Sequence, residues 1–564
     1  MFAKAVPATL ACLATGLVAG TPITVETVHI PMRDGVKLAA NLFRTSNSGR
    51  VPTILIRTPY NKGHSLSRNR RAFVEAGYAV VIQDVRGRYE SEGVFDPLFQ
   101  EVPDGDDTLT WIARQPWSNG KVGMIGGSYL GIVQWKAALS RNPALKGIFP
   151  VVSGCDDYMD RFYSPGGAMK LGHRLLWLSA NLKAPGYKPP DFAVFTRHLP
   201  VRDADRIAVG RRLRLYQQAS DHPSYDGFWK SVSTMDKIEA IQVPVFNAGG
   251  WYDNYVESDL AAFSALRKLG REVHTLIGPW AHNMSIPFDE IDFGSHASAP
   301  ILRMQLDWYA RLLRGESGKG HFPPLRIFVM GRNEWRDEEE WPVRRAIPTP
   351  FYFASRKGAN GLGGDGSLRA RPSRGGRVDR FTYDPSNPVP TRGGQTCCNP
   401  KIFPWGPMDQ TAVERRKDVL VYTSPALRKD LEVTGPIRAV LWVSTTTRDT
   451  DFTAKLVDVF PDGRAFNLTG GILRLQYRNG VRKAVAAEPG KVYEITVDVG
   501  VTSNVFRAGH RIRVEISSSN YPHYDRNLNT GGPNSSATRA IIANQTLYLG
   551  QKNPSHILLP VVKN

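Results

Sequence analysis

The feature that most restricts the fold is an alternation of short apolar runs with segments of helical period. Apolar runs at residues 53–57, 79–83, 122–125 and 148–152 are separated by helical patterns at 70–75 and 104–114 and by one opening near Ser128. Strand, crossover and strand at this spacing build a parallel sheet, which needs helices on both faces because its strands are apolar on both sides. Upstream, an apolar/polar alternation over residues 25–43 is broken by Asp34-Gly35, which predicts a β-hairpin. The pattern stops at Cys155, and residues 155–240 are rich in Leu, Arg and Pro, with helical periodicity in pieces such as 169–182. It returns as strands at 243–247 and 273–277 and helices at 255–269 and 301–313. An α/β core over residues 21–154 and 241–347, interrupted by a helical cap over 155–240, accounts for this order.

Beyond Pro348 the signal changes. A Gly- and Arg-rich stretch at 356–377 reads as a loop or linker, and short strands punctuated by Gly and Pro follow it, with a hairpin turned at Pro461-Asp462-Gly463. This predicts a β-sandwich over residues 348–564. At the other end, Lys4 precedes an apolar run at 5–18, and the small residues Ala19, Gly20 and Thr21 stand before Pro22. That is the order of a secretory signal peptide over residues 1–20, so the expectation is an exported protein, secreted or periplasmic. Later segments do not reach membrane-spanning length without charges, so no membrane association is expected after signal removal.

The 72 Lys and Arg against 52 Asp and Glu give a formal charge of +20, which attracts anions. The basic residues are scattered among acidic ones without a finger, RNP or basic-zipper pattern, which argues against nucleic acid as a partner. The four cysteines do not form a zinc spacing: Cys12 and Cys155 stand alone, and Cys397 and Cys398 are adjacent, poor geometry for two ligands of one tetrahedron. No structural metal is expected, and the pairing among Cys155, Cys397 and Cys398 is open.

The chemistry-bearing residues fall at the ends of the expected strands. The run at 122–125 leads into Gly126-Gly127-Ser128-Tyr129-Leu130-Gly131 and then a helix. A tight strand-to-helix turn with glycines around a serine is a nucleophile elbow, in which the backbone thrusts the hydroxyl out of the sheet. The spacing departs from G-x-S-x-G, with Leu130 where that pattern has its second glycine. A nucleophilic serine needs a base and an orienting acid, here expected in the order Ser, Asp, His. Asp253 follows the strand at 243–247 and His282 follows the strand at 273–277, both at carboxyl ends where open α/β sheets place their sites. The competing readings are a helix N-cap for Asp253 and an ordinary loop histidine for His282. The backbone amide of Tyr129 supplies one oxyanion donor, and the Tyr60 hydroxyl, in Arg57-Thr58-Pro59-Tyr60 after an early strand, is a candidate for the second.

These segments, together with Gln83-Asp84-Val85-Arg86-Gly87-Arg88, Phe328-Val329-Met330-Gly331, Glu334-Trp335-Arg336, Asp449-Thr450-Asp451-Phe452-Thr453 and Asn527-Leu528-Asn529-Thr530-Gly531, resemble the CocE/NonD hydrolases and the related Xaa-Pro dipeptidyl peptidases. The resemblance implies an α/β-hydrolase core, an inserted helical cap and a C-terminal jelly roll. It implies Ser128 as nucleophile, His282 as base, Asp253 as orienting acid, and Tyr60 and Tyr129 as oxyanion donors, with no cofactor. Within the family, Asn254, Tyr255 and Val256 follow Asp253 where amino-ester hydrolases carry carboxylates for a substrate ammonium. Tyr255 is therefore expected to line an aromatic acyl pocket, with a helix-core residue as its alternative reading.

The expected activity is cleavage of carboxylic esters, and of activated amides, in a small-molecule substrate through an acyl-enzyme. Peptidase or acylase action on amides is the runner-up. A reading of another class is a silent hydrolase whose β-sandwich binds carbohydrate or a partner. The sequence specifies no oligomeric state.

Overall fold

The computed structural model describes residues 22–46 and 49–563. The expected signal peptide lies outside them. Ten strands form one sheet: β1 (Ile23–Pro31), β2 (Lys37–Thr45), β3 (Val51–Thr58), β4 (Ala79–Asp84), β5 (Ser118–Gly127), β6 (Leu145–Val151), β7 (Val245–Tyr252), β8 (Val273–Ala281), β9 (Leu325–Val329) and β10 (Glu334–Glu338). Their order is β1-β2-β4-β3-β5-β6-β7-β8-β9-β10. The pairs from β4 to β9 are parallel, and the antiparallel β1/β2 and β9/β10 hairpins close the two edges.

Strand side chains alternate between two cores. Leu55, Val81 and Met124 face one side, packed with helices α2 (Glu101–Ala113), α3 (Tyr129–Ala138) and, after the insertion, Val256–Lys268. Ile54, Ile56, Val80, Ile82 and Ile125 face the other, against α1 (Arg68–Glu75) and Ile301–Arg314. Each such aliphatic side chain removed from water contributes roughly 1.5–3 kcal/mol, which is why the strands read as continuous apolar runs. Helix α2 begins three residues before its expected start, because Pro103 sits in the first turn, where a missing N–H costs nothing.

Between β6 and β7 the chain leaves the sheet for α4 (Gly172–Asn181) and four shorter helices, α5 (Phe192–Arg197), α6 (Ala204–Val209), α7 (Arg214–Asp221) and α8 (Gly227–Val232). They bury their own core, which includes Leu175, Tyr216 and Trp229.

Eleven further strands make the C-terminal jelly-roll body. Its first strand, Ala346–Ala354, pairs with its last, His556–Val562. Strand Leu431–Thr445 pairs with Tyr493–Phe506 along one side and with His556–Val562 and Ala543–Leu549 along the other. The Gly/Arg-rich stretch is not a free linker. It contributes strand Ser367–Arg369 to this body, and the Asp365 carboxylate accepts from the amides of Arg356 and Lys357. A Cβ on Gly366 would lie 2.1 Å from the Val421 carbonyl oxygen, so glycine there serves close packing rather than flexibility.

Several of the later sequence blocks are joints between bodies. Asn527 donates from Nδ2 to Asp449 and Asp451 at 2.8 and 2.7 Å, bringing two of them together. The buried Arg474 bridges Asp451 and Asp525 at 3.0 and 2.8 Å, and Asp525 in turn accepts from the Met169 amide of the cap. At the other joint Arg336 on β10 makes a bidentate pair with Glu432, and a Cβ on Gly331 would lie 2.1 Å from the Val505 carbonyl oxygen. Replacing one member of a buried ionic cluster leaves uncompensated charge, costing about 3–5 kcal/mol. Arg474→Leu is therefore expected to lower the urea midpoint by a loss of that size, and an unchanged midpoint would show that the cluster does not hold the joint.

Candidate active site

The β5–α3 turn is built by steric exclusion. Ser128 has φ 57° and ψ −125°, a region L-residues rarely occupy. A Cβ on Gly126 (φ 136°) would come within 2.5 Å of the Leu130 side chain, and one on Gly131 within 2.5 Å of the Ser153 Cβ, whereas Gly127 has its nearest contact at 3.4 Å. The departure from G-x-S-x-G thus has a physical cause: Leu130 packs over Gly126, and the glycine that admits the neighbouring strand end moves to position 131. Gln134, one turn into α3, donates to the Gly126 carbonyl at 3.1 Å and accepts from the Phe149 amide at 2.9 Å, tying the turn to β6.

Asp253 directly follows β7 and His282 directly follows β8. His282 Nε2 lies 3.0 Å from Ser128 Oγ, and His282 Nδ1 lies 3.0 Å from Asp253 Oδ1. Asp253 is fully buried, with its side chain turned to the imidazole rather than capping the helix that starts at Val256, whose N-cap residue is Tyr255. Asp253 is therefore not the N-cap of that helix, and His282 contacts both Ser128 and Asp253. One helical turn along, Asp259 is also fully buried, and burial, reinforced by the charge of Asp253, drives its carboxyl well above the usual carboxylate range. That shift favours the protonated form of Asp259 and so disfavours a second negative charge behind Asp253.

Tyr60 stands beyond the end of β3. Its loop is held by Arg88, which donates from Nε to the Pro59 carbonyl at 3.0 Å. The Tyr60 hydroxyl faces the Ser128 side chain and accepts from Trp177 Nε1 at 2.9 Å. Burial raises its pKa, which keeps the O–H proton in place. Tyr129 opens α3, so its N–H is among the donors that a helix leaves without an internal acceptor. Its ring stacks on Trp177 with centroids 6.0 Å apart, and its hydroxyl donates to Glu101 at 2.6 Å, the carboxylate paired with buried Arg57 at 2.9 Å.

Above Ser128 is a pocket whose walls include Tyr129, Trp177, Tyr255, Arg174 and Cys397-Cys398. Tyr255 is buried at the start of the helix that follows β7, its ring 5.7 Å from that of His282. Cys397 and Cys398 are bonded to each other, and Cys155 is a free buried thiol, which resolves the open pairing. The sequence pattern does not single out Trp177, Arg174 or the cysteine pair as site residues. Trp177 and Arg174 lie on a helix with an ordinary amphipathic period, and the pair lies more than a hundred residues beyond His282.

Residues 34–284 match the X-Pro dipeptidyl-peptidase (S15 family), and residues 318–558 match the X-Pro dipeptidyl-peptidase C-terminal non-catalytic domain. A cocaine esterase of a Rhodococcus species is 39% identical over 97% of this chain and 100% of its own. Two solved structures superpose over nearly the whole chain. An aminopeptidase from a marine sediment archaeon, Thaumarchaeota archaeon, has a TM-score of 0.85 at 25% identity, covering 100% of both chains. An α-amino acid ester hydrolase has a TM-score of 0.84 at 25% identity, covering 98% of this chain and 100% of its own. A Gly-bounded serine elbow, an imidazole and a carboxylate at successive strand ends, a cap and a jelly roll, with near-full-length identity to an esterase, place this chain in the CocE/NonD family of serine hydrolases.

Proposed function

We propose that the protein hydrolyses carboxylic esters through an acyl-enzyme formed on Ser128. The observation that carries this reading is the continuous Ser128–His282–Asp253 chain, with both links at 3.0 Å. Ser128 Oγ attacks the carbonyl carbon as its proton passes to His282 Nε2. Asp253 holds the ring by its Nδ1–H and stabilises the imidazolium that forms. The imidazolium then protonates the departing alcohol, and a water activated by the same nitrogen releases the acid.

The carbonyl oxygen becomes an oxyanion between the Tyr60 hydroxyl and the Tyr129 amide. Trp177 gives this arrangement its polarity. Its N–H occupies a lone pair on Tyr60 Oη, which leaves the phenolic proton free to point at the oxyanion. Pocket walls of Tyr255, Trp177 and Tyr129 suit an apolar part of the substrate. No carboxylate directly follows Asp253, so the site does not favour substrates led by an ammonium group, as peptidase action at a free N-terminus requires.

For export we propose removal of residues 1–20, supported by the order of charge, apolar run and small residues, and consistent with a disulfide between Cys397 and Cys398.

Ser128→Ala is expected to abolish turnover of a p-nitrophenyl acyl ester while the circular dichroism spectrum is unchanged; near-native turnover would remove Ser128 from the mechanism. Tyr60→Phe is expected to lower kcat by roughly 10²–10³. Trp177→Phe should lower it less, and adding Trp177→Phe to Tyr60→Phe should have little further effect, because the tryptophan acts through the phenol. Fully independent losses would assign Trp177 a separate role. Mass spectrometry of the protein expressed in a bacterial host should find a mature chain beginning near Thr21 outside the cytosol, and a cytosolic chain retaining Met1 would overturn the export proposal.

A further inference from the structure

The pocket above Ser128 contains a cation that no acid neutralises. Arg174 on α4 is 8% exposed. Its Nε and Nη2 donate to the Arg161 carbonyl at 3.0 and 2.9 Å, and its guanidinium carbon lies 4.7 Å from the centre of the Phe162 ring. Nη1 has no hydrogen-bond partner among the described residues, and no carboxylate forms an ion pair with the group. Asp157, the acid that acts on it through space, is already engaged by Lys136 at 2.5 Å and Arg161 at 2.9 Å. Burial accordingly pulls the Arg174 guanidinium down to about 10.

The adjacent residue points the same way. His173 is 1% exposed and lines the same pocket, and neither of its ring nitrogens has a hydrogen-bond partner. Burial, and then the charge of Arg174, hold its pKa well below the ordinary value, so it is a neutral imidazole with one N–H to give. A buried polar group without a partner and a buried charge without a counter-ion each cost free energy. Two of them side by side on one wall of a substrate pocket are what a site looks like when the missing partner arrives with the ligand.

The geometry points to a carboxylate-bearing ester as the preferred substrate, its free carboxylate received by Arg174 and His173 while its ester carbonyl sits at Ser128. This deepens the esterase reading above and rests on it. A guanidinium and a neutral N–H can together bind both oxygens of a carboxylate. The same cation repels an ammonium, so esters of free amino acids should be poor substrates. The carboxylate can sit on the acyl side or the alcohol side of the scissile bond, two sources of one chemistry.

The test compares kcat/KM for monoethyl succinate and monoethyl adipate with ethyl butyrate and ethyl hexanoate, and for 4-acetoxybutyrate with butyl acetate. A carboxylate ester is expected to exceed its neutral counterpart by about tenfold or more in at least one arm, in line with a hydrogen bond to a charged group. The arm that responds identifies the side. In Arg174→Gln that ratio should fall to near one, and in Arg174→Lys it should be partly restored. Because the ratio is taken within each variant, a partial loss of folded enzyme cancels. A wild-type ratio of one or below in both arms overturns the inference whatever the variants do, as does a ratio unchanged in Arg174→Gln. Failure of the wild-type enzyme to cleave either class of ester, or equal cleavage by Ser128→Ala, would instead overturn the esterase reading.

Discussion

The backbone of Ser128 is the constraint from which the rest of the site follows. Its φ of 57° stores strain of order 1–3 kcal/mol, and such a conformation persists only where the surroundings leave no alternative. Here β5 lies in the middle of a ten-stranded sheet, every residue of α3 is buried, and Ser128 itself donates from its amide to the Val151 carbonyl at 2.9 Å. A turn clamped between a central strand and a buried helix cannot relax without unpacking both. The hydroxyl is thereby held at the rim where β7 and β8 deliver Asp253 and His282, and the parallel arrangement of those strands makes all three side chains emerge at one end.

Much of this was legible in the sequence, for a reason that also explains what was not. In a parallel sheet the carboxyl end of each strand is a fixed location, so a residue placed just after a predicted strand is placed in space as well. Ser128, Asp253 and His282 could be brought together by that logic alone, and the steric roles of Gly126 and Gly131 show why the unusual spacing is compatible with it. The cap has no such rule. Nothing in the period of α4 says which of its turns overhangs Ser128, so Trp177 and Arg174 were invisible as site residues, although their helix was anticipated. The Gly/Arg-rich stretch misled in the opposite sense, because glycine required for close packing and glycine used for flexibility have the same composition.

Charge placement divides the site into two regions with different demands. Around Asp253 the protein limits negative charge: Asp253 is oriented by a single imidazole bond, and burial shifts its neighbour Asp259 toward the protonated form. Across the pocket it accumulates positive charge, with Arg161 balanced by Asp157 and Arg174 left without an acid. The resulting field runs from the cap toward the acid. In the proposed mechanism such a field favours an oxyanion next to Tyr60 and disfavours cationic substrates, so the residues proposed to sort substrates would also bear on the chemical step.

The C-terminal body carries no residue of the Ser–His–Asp chain, yet it determines where the cap stands. The Leu171 and Gly172 amides, at the start of α4, donate to the His523 and Pro522 carbonyls at 3.0 and 2.8 Å. Just upstream, the Met169 amide donates to Asp525, which the buried Arg474 holds beside Asp451, with Asn527 closing the cluster. From this anchor α4 runs one turn to Arg174 and a second to Trp177, whose indole reaches Tyr60. A helix is stiff over two turns, so a shift at the anchor is transmitted as a shift of the indole and the guanidinium over Ser128. In the proposed mechanism the late sequence blocks around Asp449 and Asn527 therefore act at a distance, as the foundation that positions the partner of the proposed oxyanion donor Tyr60 rather than as chemistry of their own.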